Sequence, residues 1–279
     1  MARQQTHQGR VAIVTGAGRG LGRAMALGLA SAGAQVIAVE LDAPALDALR
    51  ASAQEAGAAE RIVPMPADVT RDASAEDVVQ QAVRRFGHLD ILVNNAGLNL
   101  ETVSGAAARA ARFWELAPAD YRRIFEVNTV APFLLARAAV GPMMAQKWGR
   151  IVGVTTSLDT MWRKGMIPYG GSKAGHEAFV AAMADELAGT GVTANVLVPG
   201  GPVNTRMTAS FGAKQAGMIQ PDVMIEPLLW LTTAEADGVT GRRFIAANWD
   251  KRISGAQAAE KCGAPAAWPQ LGRQSIFPQ

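Results

Sequence analysis

Short apolar runs rich in β-branched residues recur along the chain, separated by longer stretches with helical spacing. Val11-Ala12-Ile13-Val14-Thr15 is the first run, and an Ala/Leu-rich segment follows it to about Gly33. Residues 35–39, 62–65, 90–93, 150–154, 192–198 and 240–247 repeat the strand pattern. Runs that stay apolar at consecutive positions fit strands buried on both faces, as in a parallel sheet. Between them the spacing predicts helices over 44–56, 74–86, 118–144 and 170–188. Ser74, with Asp77 three residues on, reads as a helix start, and Gly87 as the stop. Strands alternating with helices in this way predict an α/β fold, a doubly wound parallel sheet in a single domain. In such a sheet the ligand belongs at the carboxyl ends of the strands.

Composition narrows the class. Of 279 residues, 49% are hydrophobic and 18% charged, enough apolar surface for a substantial core. The formal net charge is +3 with basic residues scattered, so no tract is present for nucleic acid to read. The single cysteine, Cys262, rules out an intrachain disulfide and suggests a reducing compartment. His7, His88 and His176 are dispersed, without metal-ligand spacing. The N-terminus is polar, no leader is apparent, and no apolar stretch long enough to span a bilayer is expected. A cytoplasmic protein with no membrane partner is the expectation.

The first strand runs into Gly16-Ala17-Gly18-Arg19-Gly20-Leu21-Gly22 and then a helix. Strand, glycine-rich turn and helix in that order set backbone N–H groups and a helix N-terminus around a pyrophosphate. The spacing is T-G-x-x-x-G-x-G, not the stricter G-x-G-x-x-G, because Leu21 fills the third position. Glu40 closes the second strand, where a carboxylate would meet the adenosine ribose and repel a 2′-phosphate. Glu40 therefore argues for NAD. Arg19 is the counter-signal, since a guanidinium could hold the extra phosphate of NADP.

Tyr169 and Lys173 stand four apart at the start of an Ala-rich segment, on one face of a helix if that segment is helical. An ammonium beside a phenol favours the phenolate and would lower the tyrosine pKa from about 10. A tyrosine tuned in that way exchanges protons with an alcohol or ketone.

With Asp68, Asn94-Asn95-Ala96-Gly97, Asn128 and Pro199-Gly200 in order between and beyond these motifs, the chain resembles the short-chain dehydrogenase/reductases over roughly residues 9–247. The resemblance implies a Rossmann-like domain over 1–250, including a substrate loop at about 205–220, followed by a tail at 251–279. It implies that Asp68 and Val69 contact adenine, that Asn95 stabilises the central strand, and that Ala96 and Gly97 lie against the cofactor. Gly16, Gly18, Arg19, Gly20 and Leu21 would hold its phosphates, and Glu40 its ribose. Pro199 and Gly200 would lie beneath the nicotinamide, with Val203 at the carboxamide and Thr205 near the phosphates. Asn128 would bend its helix and hold a relay water. Tyr169 would be the acid/base, and Lys173 would bind the nicotinamide ribose. The resemblance also implies a homotetramer or dimer built on the two long helices.

Three departures stand out. The family's catalytic serine position falls on Thr156 by spacing, with Ser157 beside it, and either hydroxyl serves the chemistry. The stretch between Gly97 and Asn128 is longer than in short members, with Phe113 and Trp114 as pocket wall or packing. One extra residue separates Gly200 from Thr205. The expected activity is NAD(H)-dependent interconversion of a secondary alcohol and a ketone, on a small-molecule substrate and without metal. The competing readings are a cofactor-sensing protein and a lyase or epimerase using transient oxidation. Met161, Trp162, Met166, Met207 and Phe211 point to a fairly apolar pocket.

Overall fold

In the computed structural model, residues 5–271 are described. The chain runs β1 (Val11–Thr15), α1 (Gly20–Ser31), β2 (Gln35–Glu40), α2 (Ala43–Glu55), β3 (Ile62–Pro66), α3 (Asp72–Phe86) and β4 (Ile91–Asn94). The second half begins with α4 (Leu100–Ser104), α5 (Pro118–Phe125), α6 (Ala131–Ala145), β5 (Gly149–Val154), α7 (Leu158–Trp162) and α8 (Tyr169–Glu186). It ends with β6 (Val192–Val198), α9 (Ile225–Leu231), β7 (Arg242–Ile245), α10 (Gly255–Cys262) and β8 (Gly263–Pro265). One eight-stranded sheet has the order β3-β2-β1-β4-β5-β6-β7-β8, parallel except for the last pair. This is the doubly wound α/β domain expected from the sequence.

The apolar runs are explained by burial on both faces. Ala12 and Val14 of β1 pack with Met25, Leu29, Leu46, Leu49 and Leu228, in the layer of α1, α2 and α9. Val11 and Ile13 face the other way, onto Val78, Val79, Leu134, Leu135 and Val180 of α3, α6 and α8. Successive strand residues feed opposite layers, so neither set can be polar. Strand order reverses where β1 lies between β2 and β4, which opens a crevice at their carboxyl ends.

Several expectations needed correction. The helix expected to start at Ser74 begins at Asp72, with Arg71 in the N-cap position, while Gly87 ends it in the left-handed conformation as expected. The tail expected beyond residue 250 is partly built into the domain. Its α10 packs on the core, and β8 pairs antiparallel with β7 through Arg243 and Ala264. Residues 272–279 of that tail lie outside the described residues. The stretch Pro118–Ala145 forms one continuous helix that is, by length and composition, apolar enough to cross a membrane, contrary to expectation. Half of its most apolar window is buried inside the domain, where α6 packs on α3.

Candidate active site

The glycine loop leaves β1 at the reversal point. Gly16 and Gly20 adopt positive φ, and a Cβ on Gly22 would come within 2.0 Å of the Gly16 carbonyl oxygen. Only a loop free of side chains there lets α1 abut the strand end. At the start of α1 no side chain caps the first-turn amides and no acidic residue stands among them. Free first-turn N–H groups at a helix N-terminus form an anion site, which fits a dinucleotide's phosphates. Leu21 lies in that first turn. Thr205 Cγ2 would lie 2.9 Å from a Cβ on Gly20, which brings the start of the 205–217 segment onto the loop. Pro199 accepts a hydrogen bond from the Ala247 amide (3.0 Å), fixing the turn at the end of β6, and Val203 is buried.

Glu40 turns back from the end of β2 onto the loop. Its Oε2 accepts from the Gly18 amide (3.2 Å), and Oε1 accepts from Leu41 (2.9 Å) and Asp42 (3.3 Å). The Arg19 guanidinium pairs with Asp42. Asp68, just past β3, accepts from the Thr70 amide (3.1 Å) and hydroxyl (2.7 Å), with Arg123 3.8 Å away. These hydrogen bonds and the Arg123 and Arg71 charges hold its carboxyl below the usual range against partial burial. Val69 is buried in the α3 layer.

The end of β4 is tied to β1 by Thr15 and Asn95. The Thr15 hydroxyl accepts from the Asn95 and Ala96 amides (3.0 Å each), and Asn95 Nδ2 donates to the Thr15 carbonyl (2.8 Å). Gly97 follows, and a Cβ there would lie 3.3 Å from both Asn128 Oδ1 and Lys173 Nζ. The absent side chain keeps a cradle open beside the lysine. Asn128 sits in a π-helical turn, Glu126–Val130, between α5 and α6. Its Oδ1 accepts from the Leu98 amide, and its Nδ2 donates to the Leu98 carbonyl, both at 2.8 Å, and to Ser172 Oγ at 2.9 Å. Its amide is therefore committed to protein partners, and the helix widens into the π turn at that residue.

Tyr169 opens α8, and the Thr156 side chain lies beside its phenol. Ser157 instead occupies the N-cap position of α7, its hydroxyl 2.8 Å from that of Thr160. Of the two hydroxyls the sequence left open, only Thr156 is aimed at the tyrosine. Neighbouring residues on extended backbone point to opposite sides, which explains the division.

Electrostatics correct one expectation. Tyr169 keeps some solvent contact, yet its packed surroundings push the phenol up to about 12, with the neighbouring Thr156 side chain opposing. Burial pulls Lys173 down to about 8, and its ammonium donates to the Val154 carbonyl (2.8 Å). Desolvation outweighs the attraction expected between ammonium and phenolate, so Tyr169 holds its proton at neutral pH.

Sequence reasoning missed Ser172, which accepts from Asn128 and donates to the Tyr169 carbonyl (2.7 Å). It also missed the buried ion pair of Glu177 on α8 and Arg243 on β7, and Thr155, whose hydroxyl donates to Glu177. Phe113 and Trp114, 65% and 68% exposed, pack edge-to-face on each other and do not enter the core. Trp162 on α7 is 76% exposed. Met207 in the expected substrate loop accepts through its carbonyl from Asn99 Nδ2 (3.1 Å), and Glu101 holds Ser210. Among the described residues, no three His, Cys, Asp or Glu side chains gather as a metal site.

The sequence pattern of the short chain dehydrogenase family matches residues 10–216. The chain is 32% identical over 246 residues to (2S)-[(R)-hydroxy(phenyl)methyl]succinyl-CoA dehydrogenase subunit BbsD of Thauera aromatica, covering 84% of this chain and 94% of that one. It is 34% identical over 213 residues to 3-oxoacyl-(acyl-carrier-protein) reductase FabG of Escherichia coli (strain K12), covering 76% and 81%. A metagenomic short-chain oxidoreductase solved in complex with NADP superposes with a TM-score of 0.71 at 26% identity, over 86% of this chain and 97% of that one. A short-chain type dehydrogenase/reductase from Mycobacterium marinum gives 0.75 at 26% identity, over 86% and 94%. The chain therefore belongs to the short chain dehydrogenase family. It is an oxidoreductase of that family.

Proposed function

We propose that this protein is an NAD(H)-dependent oxidoreductase that interconverts a secondary alcohol and a ketone, with Tyr169 as its acid and base. The Tyr169 phenol, with the Thr156 side chain beside it and buried Lys173 one turn on along α8, is the observation that carries this reading. A bound nicotinamide supplies or accepts the hydride. The chain's own residues bind, orient and handle the proton. Gly16, Gly18, Arg19, Gly20 and Leu21 would cradle the phosphates. Ala96, Gly97, Pro199, Gly200, Val203 and Thr205 would line the rest of the dinucleotide, while Asp68 and Val69 would lie at the adenine. Lys173, beside the space that Gly97 leaves, would donate to the ribose next to the nicotinamide.

Tyr169, protonated at neutral pH, gives its proton to a ketone oxygen, and Thr156 donates a second hydrogen bond to the same atom. The reverse reaction returns the proton to Tyr169. Asn128 and Ser172 act on geometry, locking Leu98 and the first turn of α8 together. The similar proteins named a hydroxy-compound dehydrogenase and a 3-oxoacyl reductase support a hydroxyl/oxo pair as the reacting group.

The NAD preference rests on Glu40, held against the glycine loop where the adenosine ribose would lie, and on Arg19, which Asp42 engages. The NADP-bound structural relative makes this a choice to test. Thermal shift with NADH and NADPH at equal concentration reads it directly, because a ligand of the folded state raises Tm according to its affinity. A larger NADH shift is expected. A larger NADPH shift would assign the ribose site to Arg19 and sink the NAD preference.

A further inference from the structure

Behind Tyr169 and Thr156 lies a charged pair that the proton chemistry does not use. Glu177 stands on α8 two turns beyond Tyr169, and Arg243 on β7, and both are buried. Glu177 Oε1 accepts from Arg243 Nε (2.9 Å), and Oε2 accepts from the Thr155 hydroxyl (2.9 Å). Arg243 Nη2 donates to the Thr156 carbonyl (3.1 Å). Two consecutive residues of the segment between β5 and α7 are thus tied to one ion pair, Thr155 by its side chain and Thr156 by its backbone.

A buried ion pair is a poor source of stability, because desolvation offsets most of its attraction and apolar residues of similar volume serve as well. What this pair supplies is direction. Its donors and acceptors fix the Thr155 side chain and the Thr156 peptide plane, and on an extended segment that sets where the Thr156 hydroxyl points. Both side chains are buried, and both Glu177 oxygens are already taken by Arg243 and Thr155.

We infer that Glu177 and Arg243 are positioning residues that hold the 155–156 segment so that the Thr156 hydroxyl meets Tyr169 and the reacting oxygen. The inference rests on the reading of Tyr169 and Thr156 as acid and hydrogen-bond donor.

The chain has two tyrosines, Tyr121 and Tyr169, so ring-labelled 13Cζ-tyrosine NMR of the full-length protein gives two resonances, assigned with Tyr121→Phe. Thr156→Val removes the hydroxyl itself and fixes the displacement of the Tyr169 resonance expected when the contact is lost. Arg243→Lys keeps the charge opposite Glu177 but loses the reach to the Thr156 carbonyl, and Glu177→Gln keeps the shape while neutralising the pair. Both should move the Tyr169 resonance in the direction of Thr156→Val. Both should leave the cofactor-induced thermal shift intact and lower kcat about 10- to 100-fold with KM little changed, as small misplacements of a reacting group do. A Tyr169 resonance that stays at its wild-type position in Arg243→Lys and Glu177→Gln, while Thr156→Val moves it, overturns the positioning role and leaves the acid–donor reading standing. If Thr156→Val itself moves nothing, the tyrosine–threonine contact fails, and the acid–donor reading falls with it.

Discussion

At Thr156 and Ser157, two adjacent hydroxyls are separated by what each side chain already does. Ser157 sits at the start of α7 against Thr160, and Thr156 meets Tyr169. Removing a donor aimed at a reacting oxygen costs on the order of 100-fold in kcat. Thr156→Val should therefore lose about that factor in ketone reduction, whereas Ser157→Ala should stay within about threefold. Steady-state rates with any ketone found by screening, on variants with matched NADH-induced thermal shifts, check this. Equal losses in the two variants would return the choice to open. The sequence could bring this pair to notice but not divide it, because the division depends on which way a short extended segment faces. The same limit applied to Lys173 and Tyr169. Their four-residue spacing was plain, but burial, which sets both pKa values, comes from residues distant in sequence.

At the scale of elements, legibility followed burial. Strands β1, β2, β5 and β6 lie inside two helical layers and so appear as unbroken apolar runs. The three residues of β8, Gly263-Ala264-Pro265, carry no strand pattern, because their pairing is dictated by the exposed edge of β7. The start of α3 was misplaced because Ser74 and Asp77 mimic a cap that Asp72 already precedes. The segment before β1 was illegible for another reason: its structure hangs on His7. The His7 amide donates to the Ala32 carbonyl at the end of α1 (2.9 Å), and its Nε2 lies 2.8 Å from the Thr232 hydroxyl just past α9. Burial, helped by the charge of Arg10, lowers its pKa to about 4 from 6.5. Between those values the unfolded chain binds the proton and the folded chain does not. Stability therefore falls as pH drops through 6.5, and the loss is complete below about 4. From His7 alone the protein should lose roughly 2 kcal/mol between pH 7 and pH 5. Urea unfolding of the wild type and His7→Gln at both pH values measures the difference. Equal pH dependence in the two proteins would show that His7 does not carry the effect.

At the scale of the whole molecule, the long rod formed by α5 and α6, together with α8, presents an apolar face that the sheet does not cover. Phe133 on α6 is 46% exposed and packs edge-to-face on Phe179 of α8, with ring centroids 5.8 Å apart. Val130 and Tyr121 on the same rod, and Met144 at its end, are exposed as well. This is the face that gives Pro118–Ala145 a hydropathy beyond what its buried half requires. An apolar surface spread over two adjacent helices favours contact with a like surface, and a twofold axis would bring the same patch from each copy together. We propose that the protein assembles through α6 and α8 as a homodimer or homotetramer. Because α8 also carries Tyr169, Lys173 and Glu177, an assembly packed on its far side would brace the helix that holds the acid. Phe133→Asp places a charge at the centre of that patch without touching the glycine loop or the Tyr169–Thr156 pair. Light scattering at micromolar concentration should show wild-type protein as an oligomer and Phe133→Asp as a smaller species that still shifts its Tm with NADH. A monomeric wild type would refute the assembly, and an oligomer unchanged by Phe133→Asp would move the interface to another face.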